Sequence, residues 1–147
     1  MTRFTSFRFY QIIGCFMQCK KLELEHAVLS KSITLIPKQT FESCAKLKEI
    51  SIPEGITKID NNAFYGYTAL EAATLPDTLE TIEYSAFSID TKIKNITIPK
   101  SVKNIGEHAF NKWKEDQTIT FEGRFSVPKD WGEYWSKACK AKIEFKP

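Results

Sequence analysis

Two histidines, His26 and His108, and four cysteines, Cys15, Cys19, Cys44 and Cys139, are the side chains best suited here to nucleophilic or metal chemistry. Their spacing supports neither. Nucleophilic catalysis needs a hydroxyl or thiol, a histidine base and an acid that orients it, and no spacing brings such a set together. A zinc site needs closely paired ligands, yet no Cys-x-x-Cys pair occurs, and Cys15 and Cys19 have no companion histidines. Six glycines form no phosphate-cradling loop of the Gly-x-x-x-x-Gly-Lys type. The expectation is a non-enzyme with no catalytic residue, no cofactor and no metal. Four cysteines do not make a disulfide scaffold in a chain of 147 residues. Asn95-Ile96-Thr97 fits the glycosylation sequon, which matters only in a eukaryotic secretory route.

The elements that carry these residues are set by a repeat. Ile13, Ile36, Ile59, Ile82 and Ile105 stand 23 residues apart. Phe41, Phe64, Phe87 and Phe110 run in step with them, as do Ile52, Leu75, Ile98 and Phe121, and Pro53, Pro76 and Pro99 follow the first three of that column. A fixed period of this length means a solenoid, in which each unit buries its apolar face against its neighbours.

One unit, residues 47–69, shows the local logic. Leu47, Ile50 and Ile52 alternate at their end, which predicts a short strand with these residues facing inward. Pro53 lacks a backbone donor and ends the strand, and Gly55 helps the chain turn. Ile56 and Ile59 point inward on the return path. Asp60-Asn61-Asn62 then reads as a cap for a helical turn at Ala63-Phe64. Cys44 falls in a core slot and reads as an inert buried thiol. His108 shares a variable slot with Gln39, Asn62 and Ser85 and reads as a surface residue.

The stretch Ile96-Thr97-Ile98-Pro99, continued by Val102, Ile105-Gly106 and Ala109-Phe110, resembles the BspA-like leucine-rich repeat family of bacterial surface proteins. The resemblance covers roughly residues 13–121. It implies an α/β leucine-rich-repeat solenoid: a curved parallel β-sheet with short helical turns or irregular coil on the return side. It also implies a surface or secreted location and a role in adhesion or protein binding, with no catalytic residues to carry over. The Gly after the column isoleucine is kept at Gly14 and Gly106 but is Pro37, Asp60 and Glu83 elsewhere, and the family cysteine is Cys44, then Tyr67, Asp90 and Trp113.

The expected organisation is one domain: an irregular N-terminal repeat or cap over residues 1–32, regular repeats over 33–121 and a C-terminal cap over 122–147. In that cap Trp131, Tyr134 and Trp135 cover the open end of the core, and Ile143-Glu144-Phe145 alternates as a closing strand. Ile12-Ile13-Gly14-Cys15 resembles a bacterial lipobox, but the apolar stretch before it is short for an export signal, and Ile13 also fits the isoleucine column. The alternatives are a cytoplasmic chain, or a fragment that opens inside a repeat.

Binding is expected on the solvent-facing slots of the strands: Lys48, Glu49 and Ser51; Glu71 and Thr74; Lys94, Asn95 and Thr97; Gln117 and Thr120. The expected partner is a protein. Nucleic acid is not expected, because residues 33–110 hold 8 basic and 10 acidic side chains and are a poor phosphate binder. No apolar run is long enough for a transmembrane segment. The alternatives are a structural spacer in a larger surface protein, or carbohydrate stacking on the C-terminal aromatic cluster. The column Ser51, Thr74, Thr97 and Thr120 also invites comparison with lattice-binding threonine arrays, though threonine simply favours exposed strands.

Overall fold

The computed structural model describes residues 26–29, 31–42, 44, 46–89 and 92–147. The lipobox-like segment and most of the N-terminal cap expected over residues 1–32 lie outside them. Each of the first four coils supplies one strand to a front ladder and a two-residue strand to a back ladder, and the last two add a front strand each. The front strands are β1 (His26–Val28), β3 (Glu49–Ser51), β5 (Ala72–Thr74), β7 (Asn95–Ile98), β9 (Thr118–Glu122) and β10 (Lys142–Lys146). The back strands are β2 (Leu35–Ile36), β4 (Lys58–Ile59), β6 (Thr81–Ile82) and β8 (Asn104–Ile105). All pairings are parallel.

The repeat period and the pairing register are the same thing. Ile50 faces Ala73 across the front, and Ile36, Ile59, Ile82 and Ile105 follow one another across the back. Because β-strand side chains alternate, these isoleucines point into the core while Lys58 and Thr81 point out. All four back-ladder isoleucines are buried. Phe41, Phe64, Phe87 and Phe110 are fully buried beside them. Their rings stack nearly parallel, with centroids 5.2, 5.0 and 5.8 Å apart.

The α part of the expected α/β class is corrected. Among the described residues there is no α-helix, only two 3-10 segments, Lys129–Trp131 and Tyr134–Ser136. The segment expected to be a helical turn at Ala63-Phe64 is a non-helical turn, for a physical reason. The Ala63 N–H bonds back to Asp60 O (3.2 Å), but the Phe64 N–H leaves the coil for Ala86 O in the next one (2.9 Å). Alternate donors are therefore spent between coils, and a helix cannot propagate. Gln39, Asn62, Ser85 and His108 each take a positive φ, 58, 56, 52 and 59°, which turns the chain out of helical geometry at every repeat.

The front ladder is not continuous. One sheet holds β1, β3 and β5; another holds β7, β9 and β10. At the seam Ala73 stands where Ile50 and Ile96 stand in the adjoining strands, and Ala73 and Leu75 are only partly buried. The same coil continues through Ile89, a β-branched residue held at φ 66° where the preceding coil has Gly66 at 70°. That conformation costs a non-glycine residue about 1–2 kcal/mol.

Candidate functional site

On the front face the outward positions are brought side by side by strand register. Glu49 is opposite Ala72 and Ser51 opposite Thr74 in one sheet; Asn95, Thr118 and Lys142, then Thr97, Thr120 and Glu144, align in the other. Lys48, Glu71 and Lys94 lie one residue before their strands, and all three are exposed. The Glu71 N–H donates to Lys48 O (2.7 Å), which fixes their relative placement. Glu49, Ser51, Thr74, Asn95 and Thr97 are exposed as well.

Two expected positions are not on this surface. Gln117 is fully buried. Its Nε2 donates to Ile93 O (2.6 Å) and its Oε1 accepts from the Lys114 N–H (2.7 Å), so the amide plugs the turn before β9 and sends Asp116 outward instead. Thr120 is buried too, because β10 lies against β9 with Glu144 beside it and Thr97 on the other side. The hydroxyl column is exposed only at Ser51, Thr74 and Thr97, and the seam falls between Thr74 and Thr97.

Charge on the face is locally paired. Lys94 bonds Asp116, and this hydrogen bond holds the Asp116 carboxyl below its usual range. On β10, Lys142 and Glu144 form an ion pair (2.7 Å) that raises the lysine and lowers the glutamate. Lys142, Glu144 and Lys146 extend the face by one strand. Sequence reasoning identified Ile143-Glu144-Phe145 as a strand but left its outward residues out of the site. β10 is offset from β9 by 24 residues, not 23, and follows the irregular cap.

The C-terminal aromatic cluster divides. Trp131 and Trp135 are buried, at 7% and 5% exposure, and pack against Phe121. They fill the end of the core and are unavailable for stacking a sugar. Tyr134 alone of the three is exposed. His108 is half-buried rather than a free surface residue, and its ring meets Tyr84 edge-on at 5.7 Å. Cys44 is buried in the core, and burial pushes the Cys139 thiol upward. Among the described residues no group of three or more His, Cys, Asp or Glu is placed to hold a metal ion. No helix among them is long and apolar enough to cross a membrane.

This geometry, coils of one length sharing an isoleucine and a phenylalanine column, defines a leucine-rich-repeat solenoid. The family model for the BspA-type leucine-rich repeat region matches residues 12–132 in six copies, and the chain belongs to that family. No curated protein matches it. Among solved structures it is similar to a leucine-rich cell surface protein from Faecalibacterium prausnitzii, with TM-score 0.69 and 22% identity over 85% of this chain and 33% of that one. It is also similar to the pneumococcal vaccine antigen PcpA, with TM-score 0.65 and 23% identity over 84% of this chain and 42% of that one. The chain thus spans less than half the length of either structure, and at these identities the likeness is one of fold.

Proposed function

We propose that this chain is a non-catalytic protein-interaction module that binds through its front strand face, in an adhesive setting at the cell surface or outside the cell. The observation that carries this reading is the face itself. Lys48, Glu49 and Glu71 on one hydrogen-bonded sheet, and Lys94 and Asn95 across the seam on the other, are chemically different and exposed on the same face. Repeat proteins bind partners on surfaces of this kind, because ordering costs are already met by the fold. The likeness to a leucine-rich cell surface protein supports the location. The partial span of those neighbours favours a second reading, a spacer segment of a larger surface protein.

Strands about 4.8 Å apart make a face only some 20–25 Å long, so the interface is small and its affinity modest. The test is the triple variant Lys48→Glu, Glu71→Lys and Lys94→Glu. Partners captured from host or same-cell extract by the parent should be lost by the variant. Its melting should barely change, since exposed substitutions shift stability by about 0.5 kcal/mol or less. Undiminished capture by the triple variant would move the binding surface off the strand face.

A further inference from the structure

A second surface lies on the turn edge, away from the strand face and independent of the reading just given. The backbone bonds that link turns define its columns. Asn62 N–H donates to Tyr84 O (3.0 Å), Ser85 N–H to Glu107 O (3.1 Å) and His108 N–H to Tyr134 O (2.8 Å). Tyr84, Glu107 and Tyr134 therefore hold the same place in three successive coils, with Asn61 in the coil before. Tyr84 and Tyr134 are 46% and 45% exposed, whereas the phenylalanines of the same turns are buried. Glu107 and Asn61 are exposed as well. His108 braces the Tyr84 ring at 87°, and its own Nδ1 is buried without a hydrogen-bond partner.

We propose that Tyr84 and Tyr134 are a stacking platform for an extended β-linked hexose chain, with Glu107 between them hydrogen-bonding its hydroxyls. The axial C–H groups of a pyranose ring form an apolar, slightly positive face, which suits the negative face of an aromatic ring. In an extended β-linked chain successive sugars are flipped, so alternate rings present the same side. The two tyrosines stand on alternate coils, about 10 Å apart at the parallel-strand spacing, close to the length of two sugar rings. A carboxylate and an amide in the same column meet a neutral polyhydroxyl chain well and an apolar protein patch poorly. The Lys137 ammonium lies 4.9 Å from the Tyr134 ring centroid, and a bound sugar displaces this exposed side chain.

Isothermal titration with cellohexaose, maltohexaose and cellobiose tests this. Cellohexaose should bind in the millimolar range, and Tyr84→Ala or Tyr134→Ala should each weaken it about tenfold. Maltohexaose, whose α-linkages curve the chain, and cellobiose, too short to cover both tyrosines, should bind at least tenfold more weakly. If Tyr134→Ala unfolds, Tyr134→Leu keeps the bulk without the flat ring and should show the same loss. The strand-face triple variant should bind cellohexaose like the parent, which separates this site from the proposed protein-binding face. No cellohexaose binding, equal binding of maltohexaose, or a tyrosine variant with the parent's affinity would each overturn the proposal.

Discussion

In the middle coils Phe41, Phe64, Phe87 and Phe110 lie ring on ring, with interplanar angles of 2 to 8°. At the C-terminal end Trp113 and Trp135 meet Phe110 edge to face at 84 and 86°, and Trp135 meets Phe121 at 86°. Both geometries are favourable for aromatic pairs. The difference comes from symmetry. Identical residues in identical coils differ only by a translation, which forces their rings parallel; an edge-on contact joins two different positions, within one coil as Phe64 and Tyr67 do at 83°, or between a coil and the C-terminal segment as Phe110 and Trp135 do.

Polar groups differ between the two regions in degree. In the middle, turn N–H groups find carbonyls one coil along, as Phe41 finds Ala63 and Phe87 finds Ala109. Side-chain hydroxyls add to them, as Thr57 Oγ1 to Thr34 O (3.2 Å) and Thr78 Oγ1 to Ile56 O (2.9 Å), and towards the end larger side chains join as donors. Trp113 Nε1 donates to Phe87 O (2.8 Å), Trp131 Nε1 to Lys103 O, and Arg124 to Lys100 O and Val102 O while its guanidinium lies over the Trp131 ring. The C-terminal segment thus adds these side-chain bonds to backbone ones such as the β9–β10 pairing, and its sequence need not look like the repeat.

Removing residues 128–147 should have the largest effect. It strips Trp131, Trp135 and β10 from Phe110 and Phe121, and an uncovered solenoid end aggregates. Size-exclusion chromatography and thermal melting would report aggregation or loss of one cooperative transition. A monomeric truncated chain with parental melting would mean that the end is an appendage to the stack.

Within the stack, Phe64→Ala should cost about 3–5 kcal/mol in urea unfolding, because the ring lies between Phe41 and Phe87 and the coil cannot collapse around the gap. A cost below about 1 kcal/mol would show that the column does not behave as one packed unit. Gly106→Ala probes the junction of the two regions. A Cβ there would lie 2.6 Å from Tyr84 N and 2.7 Å from Glu83 C, both backbone atoms. The expected cost is about 1–3 kcal/mol, although equivalent slots hold Pro37, Asp60 and Glu83. The smallest effect belongs to Lys94→Ala. Asp116 has a depressed carboxyl pKa, so its contribution is present above the ordinary carboxylate range and is lost as pH falls through the depressed value. NMR titration should find that carboxyl back near its usual range in the variant. Melting should be almost unaffected, because the pair is exposed.

The core was legible because burial selects side-chain type: Ile59, Phe64 and Ile82 recur where the interior demands them, and all are buried. The positive-φ position was not, because Gln39, Asn62, Ser85 and His108 share a backbone conformation without sharing a side chain. Column counting placed Gln117 with Lys48, Glu71 and Lys94, but that assumes each coil turns identically. Its side-chain amide donates to Ile93 O and accepts from the Lys114 N–H, which holds it inward. The outward residues of β10 were hidden by a single added residue in the spacing. Of the aromatic cluster, composition named the members and only packing separated Tyr134 from its two tryptophans.

The bonds between coils also have a direction. On the turn edge donors point toward the C-terminal end, as from Gln39 to Asn61 and from Ser85 to Glu107. On the back edge they point the other way, from Thr57 to Thr34, Glu80 to Thr57 and Lys103 to Glu80. The two rows of peptide dipoles oppose each other, unlike the aligned dipoles of an α-helix, so their fields along the axis offset one another. Lengthening such a molecule by further coils builds up little axial field.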